Sequence, residues 1–231
     1  MKPIIACPHC GILTAGQIAI YNQALRKQRF DISPVLPCCL ECGAEVSIET
    51  RYDSGNVLVL NGTCGSGKSS VAEVLMKERG FAAVDTDCAM QVLKHKRALP
   101  RYSYDSEELF GEVTHEIDML LSLGYDVALA HVIKPEDLRK WAEYFIGNNI
   151  RYAFFLLQPA YDVAVSRTKA RTCHASITPE EWVRHYYDKL DAEKFDPSLG
   201  VHIYDNSAET AEETAARVLE MSGFSDELAD R

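Results

Sequence analysis

The residues with the clearest chemical potential are Gly62-Thr63-Cys64-Gly65-Ser66-Gly67-Lys68-Ser69, a G-x-x-x-x-G-K-[ST] pattern. Glycines at these positions let the main chain curl until successive N–H groups point inward, a nest that binds phosphate oxygens. Lys68 offers a charge to the β- and γ-phosphates, and the Ser69 hydroxyl offers a ligand to Mg²⁺. Ser70-Val71-Ala72-Glu73-Val74-Leu75-Met76 reads as a helix, whose free N–H groups and partial positive charge extend the cradle. The preceding run, Val57-Leu58-Val59-Leu60-Asn61, reads as a short apolar strand. Strand, glycine-rich loop and helix in that order predict an ATP site in which residues Gly62 to Ser70 hold the phosphates.

Carboxylates come next. Asp85-Thr86-Asp87 closes a second apolar run, Phe81-Ala82-Ala83-Val84. At a strand's carboxyl end, one of the two carboxylates would hold Mg²⁺ through water and the other would take the proton of an attacking hydroxyl. Asp and Thr there also suit a helix N-cap, and both roles can hold together. Arg167 and Arg171 stand four apart and share one helix face. Two guanidiniums beside a transferring phosphoryl group supply charge stabilisation, while a solvated basic helix end explains them as well.

A phosphate loop, then Asp-Thr-Asp closing the second strand, then a helix resembles shikimate kinase and the related small-molecule and nucleoside monophosphate kinases. The resemblance implies that Asp87 contacts the acceptor hydroxyl and that Asp85 lies near Mg²⁺. The Arg167-x-x-x-Arg171 pair resembles the lid entrance of adenylate-kinase-like enzymes, which implies stacking on adenine and a grip on the phosphates. Thr172 to Pro179 would then be a short lid loop. Asp205-Asn206-Ser207 resembles the adenine-contacting loop of the same superfamily, with Asn206 in the site, although turn chemistry alone also accounts for it. One segment departs from the pattern. Where shikimate kinases carry glycines that bind the acceptor, this chain has Ala130-His131-Val132-Ile133-Lys134, so His131 and Lys134 would meet a different acceptor.

The cysteines form a second constellation. Five of the eight fall in the first 42 residues, four of them as the knuckles Cys7-Pro8-His9-Cys10 and Cys39-Leu40-Glu41-Cys42. Cys7, Cys10, Cys39 and Cys42 can surround Zn²⁺ tetrahedrally and leave no open position for water, which predicts a closed, non-catalytic site. Cys38 is an alternative to Cys39, though the C-x-x-C geometry favours Cys39. The segment resembles treble-clef or zinc-ribbon modules, with a helix expected over Gly16 to Leu25 between the knuckles.

These groups need a scaffold to position them. Strands are expected at Val46–Thr50, Val57–Leu60, Phe81–Val84, Val127–Ala130, Ile150–Leu157 and Val201–Tyr204. Helices are expected after Gly67, at about 88–97, 106–123, Pro135–Phe145, 160–171, 179–194 and Ala208–Met221. Five short apolar strands alternating with helices predict an α/β domain, a doubly wound five-stranded parallel sheet over 53–231, preceded by a small zinc-binding module over 1–52.

Composition bounds the function. No apolar run is long enough for a membrane helix, and cysteines and a His interrupt the start where a secretory signal would lie, so a cytoplasmic protein is expected. A net charge of −10 disfavours nucleic acid as a partner. No carboxylate after a long apolar strand of the motor ATPase kind is visible. The expected function is ATP-dependent phosphoryl transfer to a small-molecule or nucleotide acceptor, with ATP, Mg²⁺ and Zn²⁺ as cofactors. The alternatives are a polynucleotide 5′-kinase or RNA-modifying enzyme, and a nucleotide-dependent ATPase switch or scaffold. Metal analysis of the purified, reduced protein is expected to return one zinc per chain, and a stoichiometry near zero removes the thiolate site.

Overall fold

The computed structural model describes residues 5–7, 9, 11–12, 42, 44, 47–48, 56–87, 89, 106–170 and 179–224. The helices expected over Gly16–Leu25 and 88–97, the ligands Cys10 and Cys39, Arg171 and the lid loop up to residue 178 lie outside the described residues. Near the N-terminus, β1 (Ile5–Cys7), β2 (Gly11–Ile12) and β3 (Ser47–Ile48) make an antiparallel sheet in the order β2-β1-β3. Strand β3 was expected; β1 and β2 were not, because strands this short carry no periodic signal.

The second sheet holds β4 (Asn56–Asn61), β5 (Ala82–Asp85), β6 (Val127–Ala130), β7 (Arg151–Leu157) and β8 (His202–Tyr204), in the order β5-β6-β4-β7-β8. It is the expected five-stranded parallel sheet with intervening helices. The helices are α1 (Lys68–Arg79), α2 (Ser106–Ser122), α3 (Pro135–Gly147), α4 (Tyr161–Lys169), α5 (Pro179–Lys189) and α6 (Ala211–Ser222). None of the described helices is long and apolar enough to cross a membrane.

By contacts the chain forms two compact units, each discontinuous in sequence: residues 1–55 with 75–129, and 56–74 with 130–231. In the first, α2 buries Leu109, Val113, Ile117 and Leu120, the spacing of one helical face. In the second, β4 is buried along its whole length, with Val57 to Leu60 fully enclosed. A strand covered on both faces needs apolar residues at every position, and its sequence is accordingly a continuous run. Strand β7 pairs with β4 in parallel from Asn56↔Arg151 to Asn61↔Leu156, and with β8 from Phe155↔His202 to Leu157↔Tyr204. The carboxyl ends of β4, β7 and β8 therefore finish at one edge, and the loops that follow them collect there. One contact between these loops is the Gln158 N–H donating to the Tyr204 carbonyl at 2.8 Å.

Two helix boundaries differ from the sequence expectation. The helix expected over 179–194 stops at Lys189, and a separate 3₁₀ turn covers Ala192–Lys194. Asp191 divides them, because its carboxylate accepts from the Glu193 N–H and caps the new turn. The last helix begins three residues later than expected. Thr210 is its N-cap, with a reciprocal capping box: the Glu213 N–H donates to Thr210 Oγ1 at 3.2 Å, and the Thr210 N–H donates to Glu213 Oε2 at 2.8 Å.

Helix α3 buries Leu138, Trp141, Ala142 and Phe145. Phe145 lies among Trp141, Tyr144, Tyr152 and Phe154, with ring centroids 5.1–6.0 Å away. Its truncation leaves a cavity that this ring cluster fills only partly. Phe145→Ala is expected to lower unfolding free energy by about 3–5 kcal/mol, read by urea denaturation.

Candidate functional site

The site grows from the end of β4, within the second unit. Asn61 is the last residue of that strand and is 2% exposed. Its Oδ1 accepts from the Gly62 N–H at 2.8 Å and from the Ile133 N–H at 2.9 Å, while its Nδ2 donates to the Ile133 carbonyl at 2.7 Å. One buried amide thus fixes both the entrance of the glycine-rich loop and the loop after β6. The His131 N–H adds a bond of 3.1 Å to the Leu60 carbonyl.

Two glycines show why the loop takes no side chains. A Cβ on Gly62, where φ is +145°, would stand 2.4 Å from the Leu157 carbonyl oxygen. On Gly65, where φ is +78°, it would stand 2.1 Å from the Ala164 carbonyl oxygen and 2.5 Å from Thr168 Oγ1. The loop is pressed between the end of β7 and the middle of α4. Thr63 ties it to α5 as well, with Oγ1 donating to the Val183 carbonyl at 3.3 Å. Cys64 is half-exposed and packs on the buried cluster of Ala164, Val165 and Val183.

Lys68 is in the first turn of α1, and its Nζ donates to the carbonyls of Gly62 at 2.7 Å and Thr63 at 2.9 Å. The ammonium is therefore held over the mouth of the loop. Ser69 follows, half-buried, and Ser70 is exposed. Ser66 is fully buried and, among the described residues, its Oγ has no hydrogen-bond partner. Asn206 is 2% exposed; its Nδ2 donates to the Ser66 carbonyl at 3.0 Å, while its Oδ1 is buried and has no partner among the described residues. An unmade bond at a buried polar atom costs about 1–3 kcal/mol.

Asn206 lines a cavity of about 370 Å³ together with Gly65, Gly67, Ser70, Arg167 and Thr210. Arg167 projects from α4, and its Nη2 lies within 3.0–3.4 Å of the carbonyls of Asn206, Ser207 and Glu209. The guanidinium draws the loop after β8 into a tight arc and walls the cavity. The Glu209 carboxylate is held by the hydroxyls of Tyr204 at 2.5 Å and Thr214 at 3.0 Å. Hydrogen bonds from Ser207 hold the Asp205 carboxyl below the usual carboxylate range, and burial followed by the hydrogen bond to Glu209 raises the Tyr204 phenol.

Arg167 and Asn206 thus meet the glycine-rich loop at one cavity. Asp85 and Asp87 belong to the other unit, at the end of β5, where the Asp87 N–H donates to Asp85 Oδ1 at 3.0 Å. Asp85 therefore caps the turn that follows β5. Asp87 is exposed.

Sequence reasoning missed the Asn61 clamp, since Asn61 reads as the polar end of an apolar strand. It also missed the condition of His131. Burial, and secondly the Lys68 ammonium, push that imidazole down to about 3, so it is neutral near pH 7.

No protein-family profile matches the chain, and no curated protein matches it in sequence. Its fold is nevertheless shared with proteins of known structure. The tunicamycin resistance protein of Deinococcus radiodurans superposes with a TM-score of 0.56 at 16% identity, over 73% of this chain and 96% of that one. A gluconokinase from Sinorhizobium meliloti gives 0.51 at 22% identity, over 77% and 96%. A sugar kinase from a Janibacter species gives 0.52 at 18% identity, over 72% and 93%. At these identities the likeness establishes the fold.

The contact of Gly65 with α4 has a measurable consequence. Gly65→Ala is expected to abolish binding of a fluorescent ATP analogue while leaving the far-UV circular dichroism spectrum of the folded chain unchanged. Retained binding would show that the loop can move away from the Ala164 carbonyl.

Proposed function

We propose that the chain is an ATP-dependent kinase that moves the γ-phosphoryl group of ATP to a small-molecule acceptor. The observation that carries this reading is the junction of loop and cavity. Lys68 is poised over the glycine-rich loop, and Asn206, whose buried Oδ1 has no partner among the described residues, lines a cavity large enough for a nucleobase. The shared fold with a gluconokinase and a sugar kinase supports it.

Each residue has a role in the reading. Loop N–H groups and the start of α1 bind the phosphates. Lys68 exchanges the carbonyls of Gly62 and Thr63 for phosphate oxygens. Ser69 would hold Mg²⁺ through its hydroxyl, with Asp85 a candidate ligand through water; bound there, the ion neutralises charge on the β- and γ-oxygens. Asn206 Oδ1 accepts from the nucleobase amino group, and Arg167 walls the base and keeps the 206–209 loop in place. Arg171 would grip the phosphates. The acceptor oxygen attacks the γ-phosphorus, the bond from phosphorus to the β–γ bridging oxygen breaks, and ADP leaves. The hydroxyl proton passes to a carboxylate, for which Asp87 and Asp85 are the candidates.

In the same reading residues 53–231 form the kinase domain and residues 1–52 a zinc module. Cys7 pairs with Gly11 between β1 and β2, and β3 pairs with β1 as well. Among the described residues no group of three or more His, Cys, Asp or Glu forms a metal site.

ADP release measured with ATP, Mg²⁺ and a panel of D-gluconate, hexoses, nucleosides and nucleoside monophosphates tests the reading. The wild type is expected to phosphorylate at least one of them. Lys68→Ala is expected to lower kcat by about 10²–10³-fold, as removal of a preorganised charge stabiliser does. Asp87→Asn is expected to abolish transfer with nucleotide affinity retained, and full turnover in that variant excludes Asp87 as the base.

A further inference from the structure

We propose that Asn206 is a positioning residue for the phosphates: by holding the Ser66 carbonyl, its side-chain amide turns the Gly67 N–H toward the triphosphate. The inference rests on the nucleotide site of the kinase reading. It gives the nitrogen end of this amide a role of its own, separate from any contact its oxygen makes with a base.

The amide is a fixed post. Asn206 lies in the loop after β8, and its Nδ2 donates to the Ser66 carbonyl at 3.0 Å across 140 residues of sequence. A carbonyl only accepts, so the NH₂ group must face it. Both residues are buried, which keeps water from competing for the bond. Other bonds hold the same loop from its far side. Arg167 Nη2 donates to the carbonyls of Asn206 and Glu209 at 3.0 and 3.1 Å, and the Ser207 hydroxyl accepts from the Ala160 N–H at 2.7 Å.

Peptide planarity carries that grip to the next residue. The Ser66–Gly67 bond is trans, so the Ser66 carbonyl and the Gly67 N–H point in opposite directions. With the carbonyl on Asn206, the N–H points away from it. Gly67 has a φ of +97°, and a Cβ there would stand 3.4 Å from Asn206 Nδ2, so the amide packs on this turn of the loop. The Gly67 carbonyl accepts from the Val71 N–H at 2.9 Å and so opens α1, which puts the Gly67 N–H next to the first-turn N–H groups of that helix. Two other N–H groups are used inside the loop: Gly62 donates to Asn61 Oδ1 at 2.8 Å, and Ser66 to the Thr63 carbonyl at 3.2 Å. Among the described residues the Gly67 N–H donates to no group, which leaves it for a phosphate oxygen.

The probe is inorganic tripolyphosphate with Mg²⁺, which has the phosphates and no base. Calorimetric affinity and the amide shifts of ¹⁵N-labelled protein are read for wild type, Asn206→Ala and Asn206→Leu, neither of which can donate to Ser66. In wild type the Gly67 amide proton is expected to move downfield as tripolyphosphate binds. In the variants affinity is expected to fall about three- to tenfold, the loss of one hydrogen bond. The Gly67 shift is expected to shrink with it, while the Ser70 amide, placed by α1, keeps its own. Equal losses at Gly67 and Ser70 overturn the inference, because a general loosening moves both. Wild-type tripolyphosphate affinity in the variants, with ATP bound more weakly, also overturns it and confines Asn206 to the base, leaving the kinase reading in place. A wild-type Gly67 amide that stays still on tripolyphosphate binding overturns it without any variant, should neither variant fold. Binding of ATP without binding of tripolyphosphate does the same, and a wild type that binds neither overturns both readings.

Discussion

The site depends on a lack of space along its glycine-rich loop. Carbonyl oxygens of Leu157 and Ala164 approach Gly62 and Gly65 so closely that no side chain fits. The loop's curvature is thus set by the end of β7 and by α4 as much as by its own glycines. A main chain held this way presents its N–H groups without reorganising when a ligand arrives, which is where preorganised electrostatic sites gain their advantage.

Around that loop the charges are few and each is held in place. The chain carries a net charge of −10, yet Lys68 and Arg167 both sit in the candidate site and both are seated on main-chain carbonyls. His131, by contrast, contributes no charge. Burial and the nearby ammonium keep it uncharged, which prevents a third positive charge from accumulating beside Lys68. The carboxylates at the end of β5 are arranged locally, with Asp85 capping the turn at Asp87. Asp87 itself is exposed.

Much of this was legible in the sequence, and the reasons differ by element. Strands β4, β6 and β7 were found almost to the residue because burial on both faces forces uninterrupted apolar runs. Helix α3 was legible from its periodic face and its acidic first turn. Boundaries set by a single side chain were less visible. The Thr210–Glu213 capping box moved the start of α6, and Asp191 cut the helix expected over 179–194. Both are ordinary residues whose capping role appears only when the backbone geometry is known.

The division between what sequence and tertiary structure determine follows the range of the interactions. The sequence by itself specified the glycine-rich loop, its flanking strand and helix, and the parallel α/β sheet. Those follow from local conformational preference and from the period of apolar residues. Only the tertiary structure decided that Asn61 joins two loops 72 residues apart, that Asn206 docks on Ser66 from 140 residues away, and that His131 stands neutral beside Lys68. A hydrogen bond at that separation leaves no periodic trace in the chain, because each partner must satisfy only its own local backbone. It exists when the sheet brings the carboxyl ends of its strands to one edge, where a buried polar atom that lacks a partner is costly enough to fix the arrangement.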